Sequence, residues 1–411
     1  MIRLRDYQER ISDEAAQLLQ SYHIAYLAME CRCGKSLTAL AAAQKYNAKS
    51  VLWLTKKKAI ASIRKDYEDL KASGGCSFAI DVLNYESAHK HTIIPDLVVL
   101  DEAHSLAAYP KPSSRTEIVK KLCVGKPIIY LSGTPTPEGY SQIYHQFWCS
   151  SYSPFAQYSN FYKWAKDYVN VKQKKVNGYM LNDYSAAYEQ KIMRRCGHLF
   201  LRFSQQDAGF STNIIESTLI VPMSEQTKEY LQDMRLHGII DVDGNAVLGD
   251  TAAKKMSKMH QLSSGTIITE EGEHIATDTS KADYIKAHFK GRIAIFYVYQ
   301  SEADLLHAAF PNWTDNPEVF QSDPSKTFIC QVRRAREGVR LDKADSLIFF
   351  NLEYSYLSYE QGKNRLVSKE RTTAAPVFFL QSDCGIERFI LEAVHGKQDF
   401  TLSYYGKRAR T

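Results

Sequence analysis

Three short stretches carry residues whose types and spacing suit phosphate chemistry. The first, "YLAMECRCGKSLTAL" (26–40), ends on Gly34, Lys35 and Ser36. At the start of a helix, backbone N–H groups face an anion and the helix dipole favours it. A lysine there neutralises phosphate oxygens, and the next hydroxyl can hold Mg2+. The full phosphate-loop pattern asks for a second glycine where this chain has Met29. Arg32 stands between Cys31 and Cys33. The plainer reading is a strand–loop–helix with a chance GKS.

The second stretch is "LVVLDEAHSL", with Asp101 and Glu102 closing an apolar run. A carboxylate at a strand end can reach Mg2+ through water, and its neighbour can orient or deprotonate an attacking water. The third is "IIYLSGTPTP", where Ser132, Gly133, Thr134 and Pro135 follow another apolar run. Small hydroxyls there can hydrogen-bond to the DEAH loop. Taken singly, the second stretch also reads as a solvated acidic turn and the third as a Gly–Pro turn.

These residues need strand ends to position them. Apolar runs predict strands at 24–29, 50–55, 78–85, 96–101 and 127–133, with helices at 35–46, 57–71 and 114–122. The runs lack strict alternation, as strands buried on both faces of a parallel sheet do. The texture changes at about 150–205, where Tyr, Phe, Trp and Lys are dense; this reads as an insertion with a satellite core, Phe161 and Trp164 inside and Lys172, Lys174 and Lys175 outside. From 206 to 278 a mostly helical connector is expected, with a hairpin at "IIDVDGNAVLG". From 279 the alternation returns, with strands at 292–299, 327–332, 345–351 and 376–381. The fold class is α/β: domains at 1–205 and 279–411 joined by the connector.

The chain has 411 residues, more than one ordinary core holds. Its net charge of +6 permits a polyanionic partner. Eight cysteines form no CxxC pair and no Cys/His cluster, so zinc is not expected and reduced cytosolic thiols are. The first residues lack the apolar core of a signal peptide, and no run is long enough to span a membrane.

The order GKS, DEAH, SGTP resembles a superfamily 2 helicase or translocase of the Swi/Snf-like branch, nearest to compact helicases often encoded by bacteriophages. The resemblance runs from about residue 4 to 371. It implies two RecA-like domains with ATP and Mg2+ in the cleft between them. It implies Gln8 on the adenine edge, with Arg5 or Tyr7 on the base. Arg32, Cys33, Gly34, Lys35, Ser36 and Leu37 would surround the phosphates, with Ser36 and Asp101 on the metal and Lys35, Asp101 and Glu102 catalytic. Thr55, Lys56 and Lys57 in "WLTKKKA", and Asn84 and Tyr85 in "VLNYES", would touch a nucleic-acid strand. In "REGVRLDKADSLIFFNLEYSYLSYEQGKNRLVSKER" it implies Gly338 and Asp345 in one motif, then Gln361 and Arg365, the latter as an arginine finger.

The family usually has a second arginine three residues after the first; here it is Ser368, with Lys369 and Arg371 nearby. Three functions follow. One is an ATP-driven motor on nucleic acid, DNA favoured over RNA, acting as a monomer in the cytoplasm (the host's, if phage-encoded), with replication, recombination or nuclease partners. The second is an ATP-gated clamp with weak hydrolysis, and the third an RNA-stimulated ATPase. No nuclease constellation is visible.

Overall fold

A computed structural model describes residues 3–176, 179–210, 212–335 and 339–396, with the side chains of 174–176 and 179 excepted. The chain divides between Gly209 and Phe210 into two compact units. No helix among the described residues is long and apolar enough to cross a membrane.

In the first unit the chain runs α1 (Asp6–Tyr22), β1 (Ile24–Met29), α2 (Lys35–Lys45), β2 (Ser50–Thr55), α3 (Ile60–Ala72), β3 (Ala79–Asn84), β4 (Leu97–Asp101), α4 (Ser114–Leu122), β5 (Ile128–Leu131), α5 (Ile143–Trp148), α6 (Phe161–Tyr168), β6 (Lys172–Val176), β7 (Tyr179–Asp183), α7 (Glu189–Cys196) and β8 (Phe200–Phe203). Among the described residues, six strands form one sheet in the order β3-β2-β4-β5-β1-β8. Every pair in it is parallel. Successive strand side chains point to opposite faces. Ile24, Tyr26, Leu52, Leu54, Val98, Leu100, Ile128 and Tyr130 therefore share one face, packed with residues of α4 to α7. Ala25, Leu27, Val51, Trp53, Val99 and Ile129 are equally buried on the other. Two covered faces explain why these strands read as unbroken apolar runs.

The expected satellite core at 150–205 is not separate. Phe155, Phe161, Trp164 and Tyr168 join the same cluster as Tyr26 and Tyr130 of the sheet. The segment then returns as β8, which pairs with β1 from Tyr26↔Phe200 to Met29↔Phe203. Among the described residues of this segment, the β6–β7 hairpin forms its own two-stranded sheet. Lys172 is exposed as expected.

The second unit runs β9 (Ile214–Val221), α8 (Glu225–Leu236), β10 (Ile239–Val242), β11 (Asn245–Leu248), α9 (Ala252–Ser263), β12 (Thr266–Ile268), β13 (His274–Ala276), α10 (Ser280–His288), β14 (Ile293–Tyr297), α11 (Gln300–Ala309), β15 (Trp313–Thr314), α12 (Pro317–Ser322), β16 (Thr327–Gln331), α13 (Val332–Ala335), β17 (Ser346–Phe349), α14 (Tyr356–Lys363), β18 (Ala375–Ser382) and α15 (Glu387–His395). Its main sheet, in the order β15-β16-β14-β17-β18-β9, is again parallel throughout.

The mostly helical connector expected at 206–278 is corrected here. Residues 214–221 are an edge strand paired with β18 along eight positions. Leu231, Met234, Ile240, Val247, Met259 and Leu262 pack on Phe296, Phe349 and Phe379 of the sheet. The segment is part of one of the unit's two covering layers, together with residues of α12 to α15. The apolar faces of α8, α9 and the β10–β11 hairpin bury there and against one another. On the opposite face Ile293, Ile295, Ile329 and Ile348 pack with Ala282 and Ile285 of α10 and Leu306 of α11.

Candidate nucleotide-binding site

In an open parallel sheet, ligands bind beyond the carboxyl ends of the strands. The carboxyl ends of β1, β4 and β5 carry the three motifs. After Met29 the chain turns through Arg32 at φ 64° and Gly34 at φ 75°, and α2 begins at Lys35. Gly34 is needed twice over: a Cβ there would lie 2.3 Å from Gln8 Nε2. The glycine missing at Met29 is not needed at all. Met29 is the last residue of β1, fully buried, paired with Phe203 and outside the left-handed region. The strain falls instead on Arg32, and a non-glycine in that conformation costs about 1–2 kcal/mol.

Lys35 Nζ donates to the carbonyls of Met29 and Glu30 at 2.9 and 3.0 Å, so the ammonium lies across the mouth of the loop. Ser36 and Leu37 are half-buried in the first turn of α2, and Cys33 is buried. The rear of the loop is held by a residue that carries no motif. Gln205 donates its backbone N–H to Glu30 Oε2 at 2.8 Å and its amide to the carbonyl of Cys31 at 3.0 Å.

Asp101 ends β4. Its Oδ2 accepts from the Thr55 hydroxyl at 2.7 Å and its Oδ1 from the N–H of Glu102 at 3.0 Å. Burial, and then the charge of Glu102, push its carboxyl up to about 6; the Thr55 hydroxyl and the Lys35 ammonium pull the other way. Lys35 is thus close enough for its charge to act on Asp101, which places the GKS and DEAH residues in one field. Glu102 adopts φ 50°, ψ 48°, and its Oε2 lies 3.3 Å from His104 Nδ1. His104 Nδ1 lies 3.0 Å from Ser132 Oγ, which accepts from Thr134 N at 3.1 Å. The turn after Ser132 lies against the loop between β1 and α2: a Cβ on Gly133 would sit 3.4 Å from Met29 O and 3.5 Å from Cys31 N. The expected bond between the SGTP hydroxyl and the DEAH loop is therefore present.

The donors suit Mg2+. Ser36, Asp101 and Glu102 offer hard oxygens, and among the described residues no three His, Cys, Asp or Glu side chains converge as a metal cage. Mg2+ commonly takes one or two carboxylates and completes its shell with phosphate and water.

Gln8 is buried and holds the loop: its amide donates to Gly34 O at 3.2 Å and accepts from Arg5 N at 2.9 Å. Tyr7 donates to Cys33 O at 3.3 Å and stacks on Phe203 at 4.4 Å, and Arg5 is exposed beside it. Of these three, Arg5 and Tyr7 keep surface for a base.

Two of the expected strand contacts are corrected. Thr55 is fully buried on Asp101, and Tyr85 is buried with its hydroxyl on Asp101 O at 2.6 Å. Both serve the acidic motif from behind. Thr55 pairs with Asn84 across β2 and β3, which leaves half-buried Lys56 and Asn84 and exposed Lys57 at one sheet edge.

In the second unit, Gln361 and Arg365 are buried on and just after α14, and Arg365 Nε donates to Gln361 O at 2.8 Å. Asp345 accepts from Arg292 N at 2.7 Å. Gly338 lies outside the described residues. Arg371 is no substitute finger: its guanidinium donates to the carbonyls of Asp342, Ala344, Thr373 and Ala374 at 2.5–3.3 Å. Ser368 Oγ accepts from Arg371 N at 3.2 Å, which fits this clamp and not a surface role.

No family model and no curated protein matches the chain.

Proposed function

We propose that the first unit binds ATP with Mg2+ at the loop of Gly34, Lys35 and Ser36, and that the chain is a nucleic-acid-stimulated ATPase of the helicase or translocase kind. The observation that carries this reading is that the GKS, DEAH and SGTP residues follow β1, β4 and β5, neighbouring strands of one parallel sheet, with Gly133 packed against Met29 and Cys31. In it, Lys35 leaves its two carbonyl partners for phosphate oxygens. Asp101 holds the metal's shell, and Glu102, oriented by His104, takes the proton of the attacking water. Bound Mg2+ neutralises phosphate charge. The two parallel sheets are compatible with two RecA-like domains. The roles of Gln361 and Arg365, and the preference for DNA, rest on the sequence resemblance alone.

A second reading, the weakly hydrolysing clamp, is favoured by one observation. Ser368 and Arg371 are both committed inside the second unit, so nothing replaces the family's second arginine at those positions. The deciding experiment is ATP hydrolysis at low salt with and without single-stranded DNA, duplex DNA and RNA. Strong stimulation by DNA supports the motor. Binding of ATP without stimulated turnover supports the clamp, and no ATP binding overturns both. Arg365→Ala is expected to keep ATP binding and lose turnover.

A further inference from the structure

Residues 151–203 hold nine Lys and Arg against three Asp and Glu, an excess equal to the +6 of the whole chain. The rest of the sequence is neutral in sum, so the polyanion-attracting charge is concentrated here. Lys163 and Lys166 lie on the exposed face of α6, and Lys191, Arg194 and Arg195 on that of α7. The Lys191 ammonium donates to Asp167 O at 2.6 Å, so one face continues into the other.

Among the described residues none of these five cations forms an ion pair, whereas exposed Arg10, Lys254 and Arg340 elsewhere do. The nearby acids are engaged by phenols: Asp167 by Tyr158 at 2.6 Å and Glu189 by Tyr140 at 2.5 Å. Like charges one helical turn apart destabilise a helix by a few tenths of a kcal/mol per pair. A surface that keeps five cations beside only two carboxylates, with no ion pair among these five in the described residues, is matched to an external polyanion. Tyr162 and Tyr188 are 43% and 49% exposed at the start of α6 and just before α7. Exposed aromatic faces beside cations suit unpaired bases, which a duplex hides.

We propose that the α6–α7 face docks a single strand of nucleic acid, phosphates on the five cations and bases against Tyr162 and Tyr188. The class of partner rests on the motor reading above; the face belongs to the first unit's own fold and is distinct from the phosphate loop. It touches the loop after SGTP, since Ser141 Oγ donates to Tyr184 O at 2.5 Å and Tyr140 to Glu189.

The test is binding of a labelled oligothymidine, by anisotropy, across a salt series. Lys163, Lys166 and Arg194 have no side-chain hydrogen-bond partner among the described residues, so the triple variant Lys163→Ala/Lys166→Ala/Arg194→Ala keeps the fold. It is expected to bind at least tenfold more weakly at low salt. The slope of log K against log salt should fall by about 2, at roughly 0.7 for each phosphate that is no longer neutralised. ATP hydrolysis without nucleic acid should be unchanged, and Lys163→Arg/Lys166→Arg should bind like the unaltered protein. If the unaltered protein binds and is stimulated but the triple variant binds equally well, the docking face is overturned and the motor stands. A loss confined to duplex binding overturns the single-strand assignment. If the unaltered protein hydrolyses ATP but binds no nucleic acid, the motor reading fails and the docking face with it.

Discussion

Thr55 points inward and gives its hydroxyl hydrogen to Asp101 at 2.7 Å. A residue expected to touch a nucleic-acid strand instead steadies the acidic motif. Thr55→Val is isosteric and removes only that bond, worth about 0.5–1.5 kcal/mol. It is expected to lower stimulated ATP turnover roughly three- to tenfold and leave nucleic-acid affinity unchanged. Lys56→Ala/Lys57→Ala should do the reverse. Steady-state hydrolysis and anisotropy on both variants separate the two roles.

Restoring the glycine of the phosphate-loop pattern should harm the protein. Met29 fills the core at the end of β1, and truncating a buried methionine costs about 2–5 kcal/mol. Met29→Gly is expected to lose stability of that order in urea unfolding, with no gain in ATP affinity. Gly34→Ala should lose nucleotide binding, because both the left-handed backbone and the Gln8 amide exclude a Cβ.

Lys35→Ala should abolish ATP hydrolysis while the melting temperature changes little. It loses two hydrogen bonds, one to buried Met29 and one to the carbonyl of Glu30 on the exposed side of the loop, where water replaces the ammonium. Full stimulated activity in this variant would sink the site assignment.

Ser368→Arg should not create a finger. Ser368 is buried and holds Arg371 N, so a guanidinium there must displace the clamp. Arg371→Ala should cost about 3–5 kcal/mol, because it leaves buried carbonyls without donors. Urea unfolding of each variant reads the loss, and hydrolysis of Ser368→Arg should not exceed that of the unaltered protein.

Acid should destabilise both units. Burial lowers His145 to about 4 and His260 to about 3. The unfolded chain takes up protons near the ordinary 6.5 while the folded one does not. Stability is therefore full above 6.5 and is lost as pH falls toward the folded values. From pH 7 to 5 each histidine contributes a loss of about 2 kcal/mol. Asp101 acts with the opposite sign: its raised carboxyl gains protons in the folded state first, returning about 1 kcal/mol over the same interval. Urea unfolding at the two pH values should show a net loss, shallower in His145→Gln.

The central strands were legible because burial on both faces writes itself into composition; Ile24–Met29 and Ser50–Thr55 lie where the apolar runs put them. The motif triad was legible for the same reason, since each group closes such a run. β8 and β9 were not. Each is an edge strand whose partner is distant in the chain, Phe200 on Tyr26 and Ile214 on Ala375, and periodicity carries no record of pairing. The run "IIESTLIV" is rich in β-branched residues, a signal that was open to reading as a strand. The direction of Thr55 and the part played by Gln205 had no local signal. Both depend on what another strand or loop brings to them.

Gln205 holds Glu30 and Cys31, and β8 flanks β1, so the loop before α2 takes its rear support from residues some 175 positions downstream. During synthesis at about 5–20 residues per second, the GKS segment would wait roughly 10–35 s for its rear wall. The last stretch of the unit to be made thus completes the first, and a ribosome-bound chain that stops short of β8 carries the motif without the pocket.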